Sequence, residues 1–402
     1  MPLLGFVNLS IACNHCKEAP CLAACPASAF SFDDETKAVI HNSDNCIGCK
    51  YCTWACPFDA PKYNSNTGLI EKCNFCNERL KMGMEPACST NCPTGALSFG
   101  EIPVVFSPQT SGLSLKPIYP RIKVKNESVV HSVPRIDSVT AGVEYKDIQN
   151  HYAKRYSLKS ILPEVPLAVF TFIGSLLVGW LSAKTVNPAV NLSFWNFMGL
   201  GIIAVLFSTI HLGKPLRAYR SIKNIRRSWL SREILLFGFF MGLGTIALLF
   251  QLKVLLVIAA FAGFIFLGAV EMLYFSIKKG TSLYINSANT VITAMVFLAL
   301  FLHSWNVLIA LLALKTMLFT VKAYKNSFDR FVSIATASLF RLSIGIFVPF
   351  FFLVQPDFEF SWIFASYIIL GEFIGRLMYY IDFSPERPFD NLKESLLMKK
   401  SM

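Results

Sequence analysis

No cysteine follows Cys92 in a chain that runs to Met402, and charged residues make up only 15% of the sequence against 54% hydrophobic ones. The first absence excludes a disulfide framework running through the whole chain, because twelve cysteines confined between Cys13 and Cys92 serve a local purpose. The second excludes an ordinary soluble domain for the rest, since apolar residues gather after Pro163 in runs long enough to cross a bilayer. Histidine is scarce as well, with six in all, and only His211 and His303 stand in those runs. The net charge of +12 would suit nucleic acid, but its basic residues flank apolar spans, where membrane topology accounts for them. No nucleic-acid partner is expected.

The cysteines form three groups. They read Cys13-x2-Cys16-x4-Cys21-x3-Cys25-Pro26, Cys46-x2-Cys49-x2-Cys52-x3-Cys56-Pro57 and Cys73-x2-Cys76-x11-Cys88-x3-Cys92-Pro93. The second is the bacterial ferredoxin run, in which three close thiolates wrap one cubane and the fourth, followed by proline, serves the neighbouring one. This spacing predicts an exchange: Cys13, Cys16 and Cys21 with Cys56, and Cys46, Cys49 and Cys52 with Cys25. Both would be [4Fe–4S] clusters, and the stretches "ASAFSFDDETKAVIHNSDNC" and "TGALSFG" supply strands and turns for a small α+β ferredoxin-like unit. Zinc is the alternative occupant of C-x2-C pairs, although structural zinc favours two separated pairs over a four-cysteine run ending in proline. His15 and His41 read as surface or supporting residues rather than ligands.

Beyond a polar, proline-dotted linker lie eight apolar stretches, near residues 163–181, 194–211, 233–250, 254–277, 286–303, 305–321, 334–354 and 360–380. The expected architecture is therefore a ferredoxin-like domain (1–99), a linker (100–162), an all-α eight-helix transmembrane bundle (163–382) and a tail (383–402). Helices are required because lipid leaves no partner for an open backbone. The connection "GKPLRAYRSIKNIRRSWLSR" is densely basic, those after the fourth and sixth spans are Lys-rich, and the opposite connections hold little more than Lys184 and Lys253. By the positive-inside rule the head, basic loops and C-terminus face the cytoplasm.

Ionisable residues inside apolar spans are costly and mark candidate sites. His211, Glu233, Glu271, Lys315, Arg341, Glu372 and Arg376 all fall in the half nearest the cysteine-rich head under this topology. Glu372 and Arg376, four apart, share a helix face and can pair, and taken singly these residues, Lys315 above all, read as structural ion pairs or snorkelling side chains. Together they outline a polar pocket suited to a quinol, whose hydroxyls shed protons as electrons leave. His211 and His303 fall at opposite ends of their spans, so bis-histidine haem is not expected.

Two sets of motifs carry a family resemblance. "ACNHCKEAPCLAACP", "CIGCKYCTWACP" and "EKCNFCNERLKMGMEPACSTNCPTGAL" resemble the iron–sulfur subunit of dimethyl sulfoxide reductase-type molybdoenzymes. "STIHLGKPLRAYRSIKNIRRSWLSRE" and "GEFIGRLMYY" resemble the eight-helix anchor subunit of the same enzymes. The resemblance implies an electron-transfer subunit fused to its anchor in the bacterial cytoplasmic membrane. Menaquinol would be oxidised in the anchor, and electrons would pass to a separate molybdopterin subunit. It also implies that His211, Arg220, Arg232 and Glu233 serve the quinol. The family has four cysteine groups, and the first is missing here, which leaves two clusters supported and a third, on Cys73, Cys76, Cys88 and Cys92, open. A truncated start is the favoured reading. Related complexes exported with a twin-arginine partner would place the clusters on the other side, and the basic loops could instead bind the cluster domain. Polysulfide, tetrathionate or another acceptor, and a redox sensor or relic, are the alternatives.

Overall fold

The computed structural model describes residues 12–100, 121, 164–277, 287–325, 343–354 and 362–382. They divide into two compact units, one with the described residues of Met1–Ser157 together with Leu216–Ser228, the other with those of Leu158–Pro215 and Trp229–Ser384. Nearly all of the expected linker, the tail and Arg341 lie outside the described residues.

The cysteine-rich unit is built twice from one plan. Helix α1 (Pro20–Ala24) leads to the hairpin β1 (Phe30–Phe32) and β2 (Val39–His41), and α2 (Tyr51–Ala55) leads to β3 (Lys62–Asn64) and β4 (Leu69–Glu71). Both hairpins are antiparallel, with Phe30 opposite His41 and Lys62 opposite Glu71. Each turn is organised by a short polar side chain. Asp33 Oδ1 accepts the amides of Glu35 and Thr36, and Asn64 Oδ1 accepts those of Asn66 and Thr67. Two further short helices follow, α3 (Asn77–Lys81) and α4 (Ala87–Thr90). The core is thin and made largely of small residues, among them Ala27, Ala29, Ala38, Val39, Ile47 and Ile70. A unit of this size needs staples beyond hydrophobic burial.

The second unit is helical: α5 (Val165–Val186), α6 (Phe194–Ile210), α7 (Trp229–Leu249), α8 (Lys253–Ile277), α9 (Thr290–Phe301), α10 (Trp305–Lys325), α11 (Val348–Val354) and α12 (Trp362–Asp382). Four of them, α5, α7, α8 and α12, are long and apolar enough to cross a membrane. This is a multi-pass membrane protein. The expected span at 286–303 is shorter in the structure. Asn289 caps α9 by accepting the amides of Val291 and Ile292, and the chain turns at His303 (φ 54°). Its 12 residues rise only about 18 Å, short of a hydrocarbon core about 30 Å thick.

Packing between helices is close and aromatic. Phe170, Phe237, Phe240 and Phe266 from α5, α7 and α8 meet edge-on and stacked. Lipid tails are as apolar as these side chains, so contact quality and not hydrophobic transfer holds such helices together. A close backbone approach joins Gly371 of α12 to Gly345 in the π-helical turn Ser343–Phe347, where a Cβ on either residue would overlap the other's Cα. Gly371→Leu should therefore destabilise the anchor by at least about 2 kcal/mol, read as a lower denaturation midpoint in detergent. An unchanged midpoint would show that this crossing is not rigid.

Candidate functional site

In each C-x2-C pair the residue before the second cysteine adopts a left-handed backbone: His15 (φ 42°), Gly48 (φ 70°) and Phe75 (φ 62°). The curl turns two sulfurs toward one point. Glycine does this without strain, but His15 and Phe75 are held there at about 1 kcal/mol or more each. His15 is fixed by accepting the Val39 amide at Nδ1 and by stacking on Phe75 at 4.7 Å. Burial, then Lys72 and Arg121, pull its pKa down to about 3, so it stays neutral.

Cysteines of the first two groups come together across the sequence. Cys25, Cys46, Cys49 and Cys52 line one cavity, closed by Ala27, Ala29, Phe30 and Ile70. Cys16 packs against Cys56, and both Cys16 and Cys21 interact with Cys56 and Cys13. Burial first, then neighbouring cysteines, pushes the Cys16 and Cys21 thiols up to about 12. Four sulfurs in one buried place need metal cations if they are to be thiolates, so these residues fit an iron–sulfur group. Among the described residues no three His, Cys, Asp or Glu side chains are grouped to hold a single metal ion. The cysteines followed by proline share one more feature. Cys25 Sγ accepts the Ala29 amide (3.2 Å), Cys56 Sγ that of Ala60 (3.5 Å) and Cys92 Sγ that of Leu97 (3.3 Å). Such bonds stabilise charge on sulfur.

The third group keeps the left-handed turn and the amide-to-sulfur bond, but not the burial. Cys73 and Cys88 are exposed. The polar contacts of Cys92 Sγ are Thr94 Oγ1 and the Leu97 amide, which lower its pKa to about 7. Cys73 interacts with Cys76 and with Cys13 of the first group.

The segment Leu216–Ser228 belongs to the cysteine-rich unit. Arg217 Nη1 donates to the carbonyls of Ser43 (2.8 Å) and Cys46 (3.1 Å), and Arg220 to that of Asp44 and to Asn45 Oδ1. Asn224 holds Cys25 O (2.8 Å) through its side chain and Pro26 O through its amide, and Ser228 Oγ donates to Ala24 O (3.0 Å). Arg220, expected to serve a quinol, instead binds this unit's backbone.

In the helical unit, Arg376 of α12 collects partners from other elements. It donates to Thr171 Oγ1 of α5 (2.9 Å) and Ala288 O (3.0 Å), pairs with Glu271 of α8 at 3.6 Å, and lies over Tyr274 and Tyr379. Tyr380 bridges Tyr274 and Thr171. Glu233 of α7, 1% exposed, interacts with Arg376 and Glu271, and its Oε2 has no hydrogen-bond partner among the described residues. Glu372 does not pair with Arg376. It is bonded to Lys315 of α10 and Thr293 of α9, a cluster in which Lys315 is 1% exposed. Of the two readings of Lys315, ion pair or snorkelling side chain, the structure has the ion pair, with Glu372. His211 is buried at the C-terminal end of α6, and Arg232 lies over Trp229 at 4.4 Å. Trp229 and Arg232 head an otherwise apolar groove of about 470 Å³ between α7 and α8, lined by Leu235, Leu236, Ile265 and Met272.

Residues 6–102 match the family model described as a 4Fe-4S dicluster domain, and residues 158–336 the one described as the DMSO reductase anchor subunit (DmsC). The chain fuses an iron–sulfur dicluster domain to a DMSO reductase-type anchor domain. The dicluster part is similar to the thiosulfate reductase electron transfer subunit PhsB of Salmonella typhi, 46% identical over 101 residues, 25% of this chain and 52% of that protein. It is similar to the B subunit of the anaerobic dimethyl sulfoxide reductase of Escherichia coli K12, 44% identical over 94 residues, 23% and 45%. The hydrogenase-2 operon protein HybA of Escherichia coli O157:H7 is 37% identical over 142 residues, 33% and 43%. The chain thus spans about half the length of the curated relatives it matches. No solved structure matches.

Sequence reading missed Arg217, Asn224 and Ser228 in the anchor domain, because Arg217 lies in the 3-10 helix Pro215–Ile222 and the other two in the turn before α7, where no α-helical periodicity marks them. It also missed Thr171, Tyr274 and Tyr380, uncharged residues whose role depends on which helices adjoin. Cys25→Ser should remove about four irons per chain, those of the Cys46 group, and leave the other cluster's signal; equal loss of both signals would contradict the exchange. Lys315→Met should destabilise the anchor domain by about 3–5 kcal/mol, and adding Glu372→Leu should recover most of that. Denaturation of the single and double variants in detergent measures both.

Proposed function

We propose that the chain is the quinol-oxidising, electron-transferring anchor of an anaerobic respiratory molybdoenzyme, passing electrons through two [4Fe–4S] clusters to a separate molybdopterin catalytic subunit. The observation that carries this reading is the buried meeting of Cys25 with Cys46, Cys49 and Cys52, in the same polypeptide as a membrane anchor domain. The clusters supply one-electron steps, which a quinol can feed singly. The cysteine-rich unit is read as ferredoxin-like on its twice-repeated helix and hairpin plan, and the anchor as a multi-helix bundle of the bacterial cytoplasmic membrane in which α9 does not cross by itself. The Lys-rich connections favour clusters on the cytoplasmic side.

Menaquinol is the donor in this reading. The α7–α8 groove has the amphipathic form of a quinol site, with Arg232 and Trp229 at one end and apolar side chains below. Glu233, the residue after Arg232, has a carboxylate oxygen not engaged in a hydrogen bond among the described residues, which suits a proton acceptor. Arg376 attracts it electrostatically, and Glu271 opposes its charge. No haem is needed, since His211 ends α6 while His303 stacks on Trp305 in the turn before α10.

Dimethyl sulfoxide is the favoured terminal acceptor, on the anchor match. The 46% identity to a thiosulfate reductase electron transfer subunit favours a sulfur oxyanion as the second reading. Glu233→Gln and His211→Asn should each slow menaquinol-driven reduction of the clusters at least tenfold with iron content unchanged. Stopped-flow absorbance on the purified protein measures this, and wild-type rates in both variants would sink the assignment.

A further inference from the structure

Arg217 and Arg220 are held by neutral oxygens. Their partners are three backbone carbonyls, the Asn45 side-chain oxygen and the Tyr219 hydroxyl, and neither forms an ion pair among the described residues. The same segment grips the carbonyls of residues 24, 25 and 26 through neutral groups, the Asn224 side chain and amide and the Ser228 hydroxyl. Docking alone is thus achieved without charge on one side, while two full positive charges are kept on the other. The two cysteine carbonyls it takes, those of Cys25 and Cys46, belong to ligand residues lining one and the same cavity.

A [4Fe–4S] group on four thiolates carries a net charge of −2 oxidised and −3 reduced, so an unneutralised cation held on its ligand backbone favours the reduced form. By linkage, the reduced form must then hold that cation more tightly by the same free energy. We propose that Leu216–Ser228 is a charged cap on the Cys25, Cys46, Cys49 and Cys52 cluster, which raises that cluster's reduction potential through Arg217 and Arg220 and closes more firmly on reduction. The proposal rests on the reading of these cysteines as an electron-carrying cluster. It makes the segment joining α6 to α7 part of the redox site, with Arg217 and Arg220 as positioning and tuning residues that touch no substrate. The second predicted cluster, on Cys13, Cys16, Cys21 and Cys56, receives none of these contacts. Its nearby cations are Lys72, whose Nζ lies 3.7 Å from Cys13 Sγ, and Arg121, which interacts with Cys16. It serves as the internal reference.

The test is an anaerobic redox titration of the full-length protein in detergent, followed by EPR, with each signal assigned by its loss in Cys46→Ser or Cys16→Ser. Arg217→Gln keeps a hydrogen-bond donor and removes the charge. It should lower the reduced-to-oxidised ratio of the Cys46 cluster about tenfold at fixed potential, a fall of about 59 mV for one electron, with the Cys16 cluster unmoved. Arg220→Gln should shift in the same direction, and Arg217→Lys should restore most of the loss. Coincident titrations of wild type and both glutamine variants overturn the cap, as do equal shifts of both clusters. Hydrogen exchange of residues 216–228 in the wild type gives a second reading that needs no variant. Protection greater in the reduced than in the oxidised protein supports the cap, and equal protection overturns it. A wild-type protein with no four-iron signal would instead overturn the cluster reading itself.

Discussion

A charge removed from water must be met by an opposite charge, a dipole or a metal, and both units of this chain are organised around that requirement. In the cysteine-rich unit, sulfurs too buried to ionise alone are gathered where cations can neutralise them together. In the helical unit, Arg376 and Lys315 are each met by a glutamate from another helix. The solution differs because the solvent differs. A small unit exposed to water lacks apolar bulk and can use metal–thiolate bonds as its core, whereas lipid-embedded helices have bulk to spare and lack reasons to choose one neighbour. Ion pairs and glycine contacts supply that choice.

The cysteine chemistry was legible because ligand spacing is local. Three thiolates within a few residues and a fourth before proline define both loops and their exchange without any knowledge of the tertiary fold. Apolar stretches were equally legible, since a span's length is set by the bilayer. Pairing between helices was not. Glu372 and Arg376 share a face, yet each finds a stronger partner on a neighbour, and a four-residue spacing carries no information about which helix stands opposite. The shortened α9 was missed for a related reason: hydropathy runs on through Leu302, but Asn289 and the left-handed His303 stop the helix.

The basic connection shows how one composition admits two explanations. Positive charge beside a span reads as topology, and Lys-rich loops elsewhere in the sequence fit that reading. In "RAYRSIKN", however, Arg217 and Arg220 are spent on carbonyl oxygens of the cysteine-rich unit. Charge count alone cannot separate attraction to a headgroup from a donor aimed at backbone, because acceptors of the second kind have no sequence signature.

The crossed assignment of Cys25 and Cys56 has a mechanical side. Cys25 lines the cavity of the Cys46 group and Cys56 packs against Cys16, so two cluster closures made there would interlace like woven threads and not sit side by side as separate clasps. Neither α1 with its hairpin nor α2 with its own can peel away carrying a complete cluster. Because the loops each closure forms overlap in sequence, the second is closed over a polypeptide already shortened by the first, at a smaller entropic cost. With both proposed clusters bound, maturation would be cooperative, and oxidative loss of one would loosen the frame that holds the other.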